Sequence, residues 1–273
     1  MREKISKFKQ RLKWLDPFTY VDLALEKYWP ARQGKRTEAQ EIGYNLIYLV
    51  SAFVFAFLIY QAFSVGLQTK SPIVIVVSES MEPNLYRGDV VFIQGVSAQN
   101  LKAQEINYPG KLSKKIFSEF GDVNYQTSAV SKSGFEISQI QVSNSKIAPN
   151  TEGDIALYYS SFTGEQIIHR AILKIKASDG TFLLTKGDNE ITNWSFDQDC
   201  GKVFQKQIAG TDLTQTALEK PCITLYPLKV SEIDGREAFR IPLIGCVKVW
   251  AFDDLPSLLF KGRMPDNYRG GLC

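Results

Sequence analysis

A stretch without any charged side chain runs from Ile42 to Thr69 and limits the folds that are open to this chain. Its apolar centre, Asn45 to Leu67, would form a helix of roughly 34 Å at about 1.5 Å per residue. That length suffices for a hydrocarbon core of about 30 Å, whereas the apolar region of a cleaved signal peptide is shorter and lies nearer the N-terminus. The sequence therefore predicts a permanent transmembrane helix at residues 45–67.

The distribution of Lys and Arg predicts how this anchor is oriented. Residues 1–41 hold ten of them, whereas the segment after the anchor has Lys70 and then no other until Arg87. Basic residues favour the cytoplasmic side, so we expect a cytoplasmic N-terminus and an extracytoplasmic segment 70–273. Before Pro17, apolar residues at helical spacing predict a basic amphipathic helix that lies on the membrane or packs in the cytosol: Ile5, Phe8, Leu12 and Leu15.

Beyond Pro72 the sequence is typical of a mainly β protein. Short runs rich in β-branched and aromatic residues alternate with turn residues, which predicts a series of strands. The predicted strands are Ile73–Val77, Val90–Ile93, Ile155–Tyr159, Gln166–Ile175, Phe182–Leu184, Ile223–Tyr226, Phe239–Ile241 and Gly245–Trp250. We assign 70–95 and 151–273 to one β domain, with 96–150 as an inserted subdomain that has strands of its own, such as Phe135–Ile137. The net charge of +3 does not suggest a nucleic-acid partner.

The four cysteines are compatible with an extracytoplasmic domain. Cys200 and Cys222 flank a loop-like stretch and could form a disulfide or remain two thiols. Cys246 lies in an apolar run and is predicted to be a buried thiol. Asn193 begins a glycosylation sequon, which is weak evidence for the same compartment.

Ser80 and His169 are the candidate catalytic pair. Ser80 follows a predicted strand and precedes a turn fixed by Pro83, which would hold the hydroxyl at a strand end. His169 is the one histidine of the chain, and strand alternation places it on the same face as Ala171, Leu173 and Ile175. A neutral histidine on an apolar face is suited to act as a general base, although a partly buried histidine without any catalytic role is the alternative.

Taken in order, the motifs resemble the type I signal peptidases, in the archaeal and endoplasmic-reticulum branch. An anchor is followed by S-x-S-M-x-P at Ser78–Pro83, R-G-D at Arg87–Asp89, G-D-I at Gly153–Ile155, H-R at His169–Arg170, T-K-G-D-N at Thr185–Asn189 and I-P-x-x-G-x-V at Ile241–Val247. The resemblance covers roughly residues 45–95 and 150–250. It implies an antiparallel β catalytic domain on a single N-terminal transmembrane helix.

The resemblance implies a serine endopeptidase that removes signal peptides from exported proteins. Ser80 would be the nucleophile, His169 the base, and Ser78 a helper in binding the oxyanion. The family also uses two aspartates: Asp188 matches the first, but the second usually lies six residues further on, where this chain has a tryptophan. Asp197 and Asp199 are the nearest acidic residues, and we expect Asp197 to orient the histidine and Asp188 to support the site, with the reverse assignment open.

The implied partners are preprotein signal peptides, the lipid bilayer and the export translocon, and no metal or cofactor is implied. Alternative hypotheses are a tethered peptidase for self-cleavage or one dedicated partner, and a bacterial-style Ser–Lys mechanism with Lys174 or Lys186 as base. A hypothesis from another class is a non-catalytic anchored β domain, such as a subunit of a peptidase complex that binds exported chains.

Overall fold

The computed structural model describes residues 16–30, 37–201, 205–207, 214–216 and 223–265, with the backbone alone for 205–207 and 214–216. The chain divides into two compact units, Met1–Gly66 and Leu67–Cys273. The predicted amphipathic helix around residues 5–15 lies outside the described residues.

Among its described residues, the N-terminal unit contains two helices, α1 (Pro17–Tyr28) and α2 (Glu38–Leu67). Asp16 begins α1, because its carboxylate accepts a hydrogen bond from the Phe18 amide at 3.0 Å. Thr37 and Gln40 cap α2 reciprocally, each accepting a hydrogen bond from the backbone N–H of the other. By length and composition α2 is the candidate membrane span among the described residues. It begins earlier than the predicted anchor and ends at the same residue.

The second unit is built on antiparallel sheets, which confirms the prediction of a mainly β fold. In the part of the chain that the structure describes, one sheet contains β1 (Ile73–Ile75), β2 (Val90–Gln94), β3 (Glu105–Asn107), β7 (Ile155–Ser160), β8 (Glu165–Ala177), β9 (Gly180–Lys186), β12 (Leu228–Lys229) and β13 (Gly235–Ile241). Their order is β1-β2-β13-β7-β8-β9-β12, with antiparallel neighbours, and β3 pairs in parallel with β8. Two further strands, β10 (Gln205–Gln207) and β11 (Thr214–Thr216), pair with each other.

Within the segment predicted to be inserted, a separate three-stranded sheet forms from β4 (Gly121–Thr127), β5 (Phe135–Val142) and β6 (Ser145–Ile147). Its apolar face and the main sheet share one core: Val123, Ile140 and Val142 pack in the same cluster as Leu173 and Leu184. The three-stranded sheet is therefore packed onto β8 and β9, the strands that lead to the predicted catalytic residues.

A β-bulge in β8 changes the predicted alternation around His169. The pairing with β9 runs Ala171↔Thr185 and then Leu173↔Leu184, so Ile172 is the extra residue. Beyond the bulge, Leu173 packs in the cluster that contains Ile172, whereas Ala171 packs in another. The prediction that His169 shares one face with the residues up to Ile175 is therefore wrong beyond Ala171.

Two predicted strands are not strands. Ile223–Tyr226 is irregular, because the Ile223 and Thr224 amides donate to the carbonyl of Asp197 at 3.2 and 3.1 Å and are not available to a neighbouring strand. Gly245–Trp250 is helical: α3 (Cys246–Val249) continues through a π-helical turn (Trp250–Asp254) into α4 (Leu255–Lys261).

The strand predicted at Ile73–Val77 is shorter and less buried than expected. It ends at Ile75, its residues are half-buried, and Val77 is 48% exposed. The reason is the position of β1 at the end of the strand order, where one edge of the strand has no neighbour among the described strands.

The described cysteines, Cys200 and Cys246, are both disulfide-bonded. The prediction that Cys246 is a thiol is therefore wrong, although its burial is confirmed, with no exposed side-chain area. Cys222, the other member of the predicted pair, lies outside the described residues.

Candidate active site

Ser80 lies in the turn that follows β1 and is fixed from the protein interior. The next residue, Met81, is fully buried, and its carbonyl accepts the amides that close the turn. The Ser80 carbonyl accepts hydrogen bonds from the Asn189 amide at 2.9 Å and from Nδ2 of Asn193 at 3.2 Å. Gly187 is required beside it, because a Cβ at that position would lie 2.5 Å from the Ser80 carbonyl oxygen.

His169, on β8, lies between Ser80 and Asp197. Its Nε2 is 3.0 Å from Ser80 Oγ, and its Nδ1 is 2.8 Å from Asp197 Oδ2. The histidine is 3% exposed and the aspartate 1%. An ionised carboxylate only accepts hydrogen bonds, so Nδ1 carries the imidazole proton and Nε2 presents its lone pair to the serine hydroxyl.

Tyr158, on β7, donates a second hydrogen bond to the same carboxylate oxygen, with 2.8 Å between its hydroxyl and Asp197 Oδ2. Thr185 donates to the tyrosine hydroxyl at 3.3 Å, and Gln198 donates to the threonine hydroxyl at 3.2 Å. Burial raises the pKa of Tyr158 well above its usual value, and the nearby Asp197 charge raises it further. Tyr158 therefore remains a hydrogen-bond donor to the aspartate across the physiological pH range.

Asp188 lies apart from the histidine and forms an ion pair with Arg170. Both carboxylate oxygens of Asp188 accept from the guanidinium, at 2.7 and 2.6 Å, and the same guanidinium donates to the Gly153 carbonyl at 2.6 Å. Asn84, in the turn after Ser80, donates to Asp188 Oδ2 at 2.8 Å. Asp188 thus connects the Ser80 turn to β8, while the Asp197 carboxylate is the one that contacts the imidazole. Asp199 lies elsewhere, hydrogen-bonded to Tyr125 and Ser195.

The Ser78 hydroxyl lies 3.2 Å from the Ser80 hydroxyl on the exposed side of the turn. Within the described residues, the backbone N–H of Ser80 has no protein acceptor. A backbone N–H and a neighbouring hydroxyl are the donor types that stabilise the oxyanion of acyl transfer.

Comparisons with known proteins found relatives of this chain. The chain is 28% identical over 145 residues to the signal peptidase complex catalytic subunit sec11 of Schizosaccharomyces pombe, a match that covers 53% of this chain and 58% of the relative. It is 24% identical over 207 residues to the signal peptidase complex catalytic subunit SEC11 of Saccharomyces cerevisiae, covering 76% and 81%. The chain is a homologue of these signal peptidase subunits. No family model matches it.

A cavity of about 360 Å³ opens beside Ser80 in this signal peptidase homologue. One wall is formed by β1 and the residues up to Ser78, and the other by Leu157 and the first half of β8, including Ile167 and Ile168. The lining is mainly aliphatic, and β1 presents a strand edge that is unpaired among the described strands. Such an edge can hydrogen-bond an extended peptide as an additional strand.

The two lysines considered as alternative bases are held elsewhere. Lys174 donates to the carbonyls of Ala98 and Leu101, at 3.2 and 3.1 Å, and forms an ion pair with Glu105. Lys186 donates to the Gly187 carbonyl at 3.0 Å, and burial lowers its pKa. Neither amine has a described hydrogen bond to Ser80.

Sequence reasoning did not find several residues that support the site. Tyr158 gave no signal, because a tyrosine in a strand is ordinary. Asn189 belongs to the T-K-G-D-N motif and Asn193 begins a sequon, and neither pattern indicates a contact with Ser80. Asn193 is 7% exposed, and its side-chain nitrogen, the atom that would carry a glycan, donates to Ser80. The folded protein therefore does not present this sequon.

Proposed function

We propose that this signal peptidase homologue is a membrane-anchored serine endopeptidase that removes N-terminal signal peptides from exported proteins. The observation that carries the proposal is the continuous hydrogen-bonded line from the Ser80 hydroxyl through His169 to Asp197, next to an apolar cavity with an open strand edge. Its similarity to the two yeast proteins, which are catalytic subunits of a signal peptidase complex, supports it.

In the proposed mechanism, His169 Nε2 takes the proton from Ser80 Oγ as the oxygen attacks the scissile carbonyl. Asp197 holds the Nδ1–H tautomer and stabilises the positive charge that forms on the imidazole. The Ser80 backbone N–H and the Ser78 hydroxyl stabilise the oxyanion of the tetrahedral intermediate. The imidazolium then gives its proton to the leaving amine, and a water molecule, activated by the same histidine, hydrolyses the acyl-enzyme.

The proposed substrate binds in an extended conformation along the open edge of β1. Backbone hydrogen bonds to an edge strand accept many sequences, so the side-chain pockets must provide the specificity. The aliphatic lining from Ile73 to Val77 and from Ile167 to Ile168 suits small apolar side chains just before the cut. A preprotein with a small residue before the scissile bond is therefore the expected substrate.

We propose that α2 crosses the membrane with the N-terminus in the cytoplasm and the β unit outside it. The support is the charge distribution, since residues 1–41 hold ten Lys and Arg. The β unit begins at Leu67, the last residue of α2, whose carbonyl accepts a hydrogen bond from the Gly95 amide at 2.8 Å. In the sequence, the proposed catalytic Ser80 therefore follows the proposed membrane span after only a short segment, as expected for an enzyme that acts on signal peptides leaving the translocon.

The test is cleavage of a signal-peptide-bearing preprotein by the purified full chain in detergent. Ser80→Ala and His169→Ala should abolish cleavage at the signal-peptide junction, whereas Lys186→Met should retain it. Ser97→Ala is the matched control, because this serine is exposed and its hydroxyl donates to Asn100, outside both the candidate site and the three-stranded sheet. Activity of His169→Ala together with loss in Lys186→Met would overturn the Ser–His mechanism.

Absence of turnover by the wild type, even when other membrane components are added, would overturn the peptidase proposal. Binding of signal peptides under those conditions would then favour the non-catalytic anchored domain. Turnover that appears only with added membranes would support action within a complex.

A further inference from the structure

The three-stranded sheet β4–β6 contacts the loop that carries Asp197. On β4, the hydroxyl of Tyr125 is hydrogen-bonded to Asp199 and lies 2.5 Å from Ser195 Oγ. Ser195 in turn donates to the same Asp199 oxygen at 2.8 Å. The Tyr125 ring packs on Trp194 with 5.4 Å between ring centroids. The three-stranded sheet, called the inserted sheet below, therefore contacts residues on both sides of Asp197 through hydrogen bonds and ring packing.

A second set of contacts joins the same segment to this loop. The ring of Phe117, which precedes β4, packs edge-to-face on Phe196 with centroids 4.8 Å apart, and Phe196 is fully buried. Further along, the Lys132 amide donates to the Ile191 carbonyl at 3.0 Å. These contacts come from different parts of the segment and act on one loop, residues 191–199, which we call the aspartate loop.

The opposite side of the aspartate loop is fixed by β9 and by the irregular segment that contains Ile223 and Thr224. The Asp197 amide donates to the Thr185 carbonyl at 2.8 Å, and the Asp197 carbonyl accepts from the amides of Ile223 and Thr224. The backbone of Asp197 is thus held from the side of β9, whereas the side chains that flank it are held by the inserted sheet.

We propose that Tyr125 of the inserted sheet is a positioning residue, which acts through Asp199 to hold the Asp197 carboxylate on His169. This inference rests on the proposed function for its kinetic consequence, but its structural consequence is independent of activity. It assigns the inserted sheet a role in the chemical step. No residue of β4–β6 or of the aspartate loop lines the cavity beside Ser80, so substrate binding is not expected to depend on Tyr125.

The kinetic experiment compares Tyr125→Phe with Tyr108→Phe in the full chain in detergent. Tyr108 lies in the same predicted insertion and packs edge-to-face on Phe120, so its substitution removes a hydroxyl at a matched position away from the aspartate loop. We expect Tyr125→Phe to lower kcat about tenfold, less than the ~10²–10⁴-fold that a general base supplies, with KM unchanged. Asp199→Ala should lower kcat in the same way. Asp199→Asn should keep kcat near the wild-type value, because an amide oxygen still accepts from Tyr125 and Ser195.

The structural experiment uses the fact that the chain contains one histidine. In full-length protein labelled with ¹⁵N-histidine, the Nδ1–H proton of His169 should give a low-field signal that is protected from exchange. We expect Tyr108→Phe to keep this signal and Tyr125→Phe to lose or broaden it. Ser195→Ala, a smaller perturbation of the same cluster, should weaken it and serves as the second variant if Tyr125→Phe does not fold.

The outcomes separate this inference from the proposed function. If the wild type does not cleave preproteins, the proposed function fails, and the imidazole signal still tests the positioning role. An unchanged signal and unchanged kcat in a folded Tyr125→Phe protein would overturn that role. A rise in KM with kcat unchanged would also overturn it, because it would indicate a role in substrate binding.

Discussion

One oxygen of Asp197 accepts two hydrogen bonds, which makes the substitution Asp197→Asn informative. His169 Nδ1 and the Tyr158 hydroxyl each lie 2.8 Å from Oδ2. An asparagine side chain can present either its carbonyl oxygen or its NH₂ group at that position. The oxygen would accept both donors and keep the proton on Nδ1. The NH₂ group would force the proton onto Nε2 and remove the acceptor that Ser80 needs.

The magnitude of the loss differs greatly between these two orientations. If the oxygen faces His169, the variant loses at most the hydrogen bond to a charged group, worth about 1.5–3 kcal/mol, or about 10- to 150-fold in rate. If the NH₂ group faces it, the wrong tautomer lowers kcat by about 10⁴-fold. Because Tyr158 is a second donor aimed at the same atom, we expect the oxygen orientation and the smaller loss.

The assay is the rate of preprotein cleavage by Asp197→Asn, Tyr158→Phe and the double variant. We expect Tyr158→Phe alone to lose less than about tenfold, since the carboxylate and its bond to His169 remain. The double variant should approach the ~10⁴-fold loss, because no second donor then selects the oxygen. Tyr159→Phe, at an exposed position of the same strand, is the control. If Asp197→Asn alone already loses ~10⁴-fold and the double variant loses no more, Tyr158 does not select the orientation.

Three further perturbations test other parts of the site. Gly187→Ala would place a Cβ 2.5 Å from the Ser80 carbonyl oxygen, so the turn must move, and we expect kcat to fall about 100-fold in a protein that still unfolds cooperatively. Arg170→Lys removes the two-pronged contact with Asp188 and should lower the free energy of unfolding by about 1–3 kcal/mol, as measured by denaturant unfolding; no change would argue against the ion pair. Burial and the Asp199 charge raise the pKa of Tyr125, so the folded state keeps a proton that the unfolded state loses above about pH 10. The free energy of unfolding should therefore fall above about pH 10, by at most ~1.4 kcal/mol per pH unit from this residue. In thermal unfolding between about pH 9 and 11, the melting temperature of Tyr125→Phe should fall less steeply with pH than that of the wild type.

Much of the β unit could be predicted from local sequence. The runs at Val90–Ile93, Ile155–Tyr159 and Phe182–Leu184 are strands in the structure, because each combines β-branched or aromatic residues with turn residues on both sides. The prediction of a strand at Gly245–Trp250 is wrong for a physical reason. Apolar residues lie on both the buried and the exposed sides of this helix, such as the buried Val249 and the 72% exposed Val247, so the helical period is hidden.

The contact between His169 and Asp197 could not be derived from spacing. The family pattern places the second aspartate at the position of Trp194 here, so the expectation for Asp197 rested on its being one of the two nearest acidic residues and not on the spacing. The structure separates them by long-range contacts: Asp199 lies against Tyr125 of the inserted sheet, and Asp197 faces β8. A pairing decided by packing between distant segments leaves no periodic signal in the sequence.

The bulge at Ile172 was also invisible, for a related reason. Alternation assumes that each residue of a strand has one partner, and the sequence carries no mark of the position where β8 has an additional residue. The bulge also changes which side chains of β8 face each side of the sheet. Because Leu173 lies beyond the bulge, it can pack against the three-stranded sheet while His169, on the same strand, lines the cavity beside Ser80.

One segment, from Gly187 to Asp199, contacts both Ser80 and His169 in the candidate site. From Gly187 to Asp199 the chain holds the Ser80 carbonyl with Asn189 and Asn193 and then presents Asp197 to His169. Ser80 and His169, the proposed nucleophile and base, are thus held by consecutive parts of one segment, although they come from distant places in the sequence. A displacement of that segment would disturb the Ser80–His169 distance and the His169–Asp197 distance together. Substitutions at Ser80's supports and at Asp197's supports should therefore be strongly non-additive in kcat, as expected for residues that act as a unit.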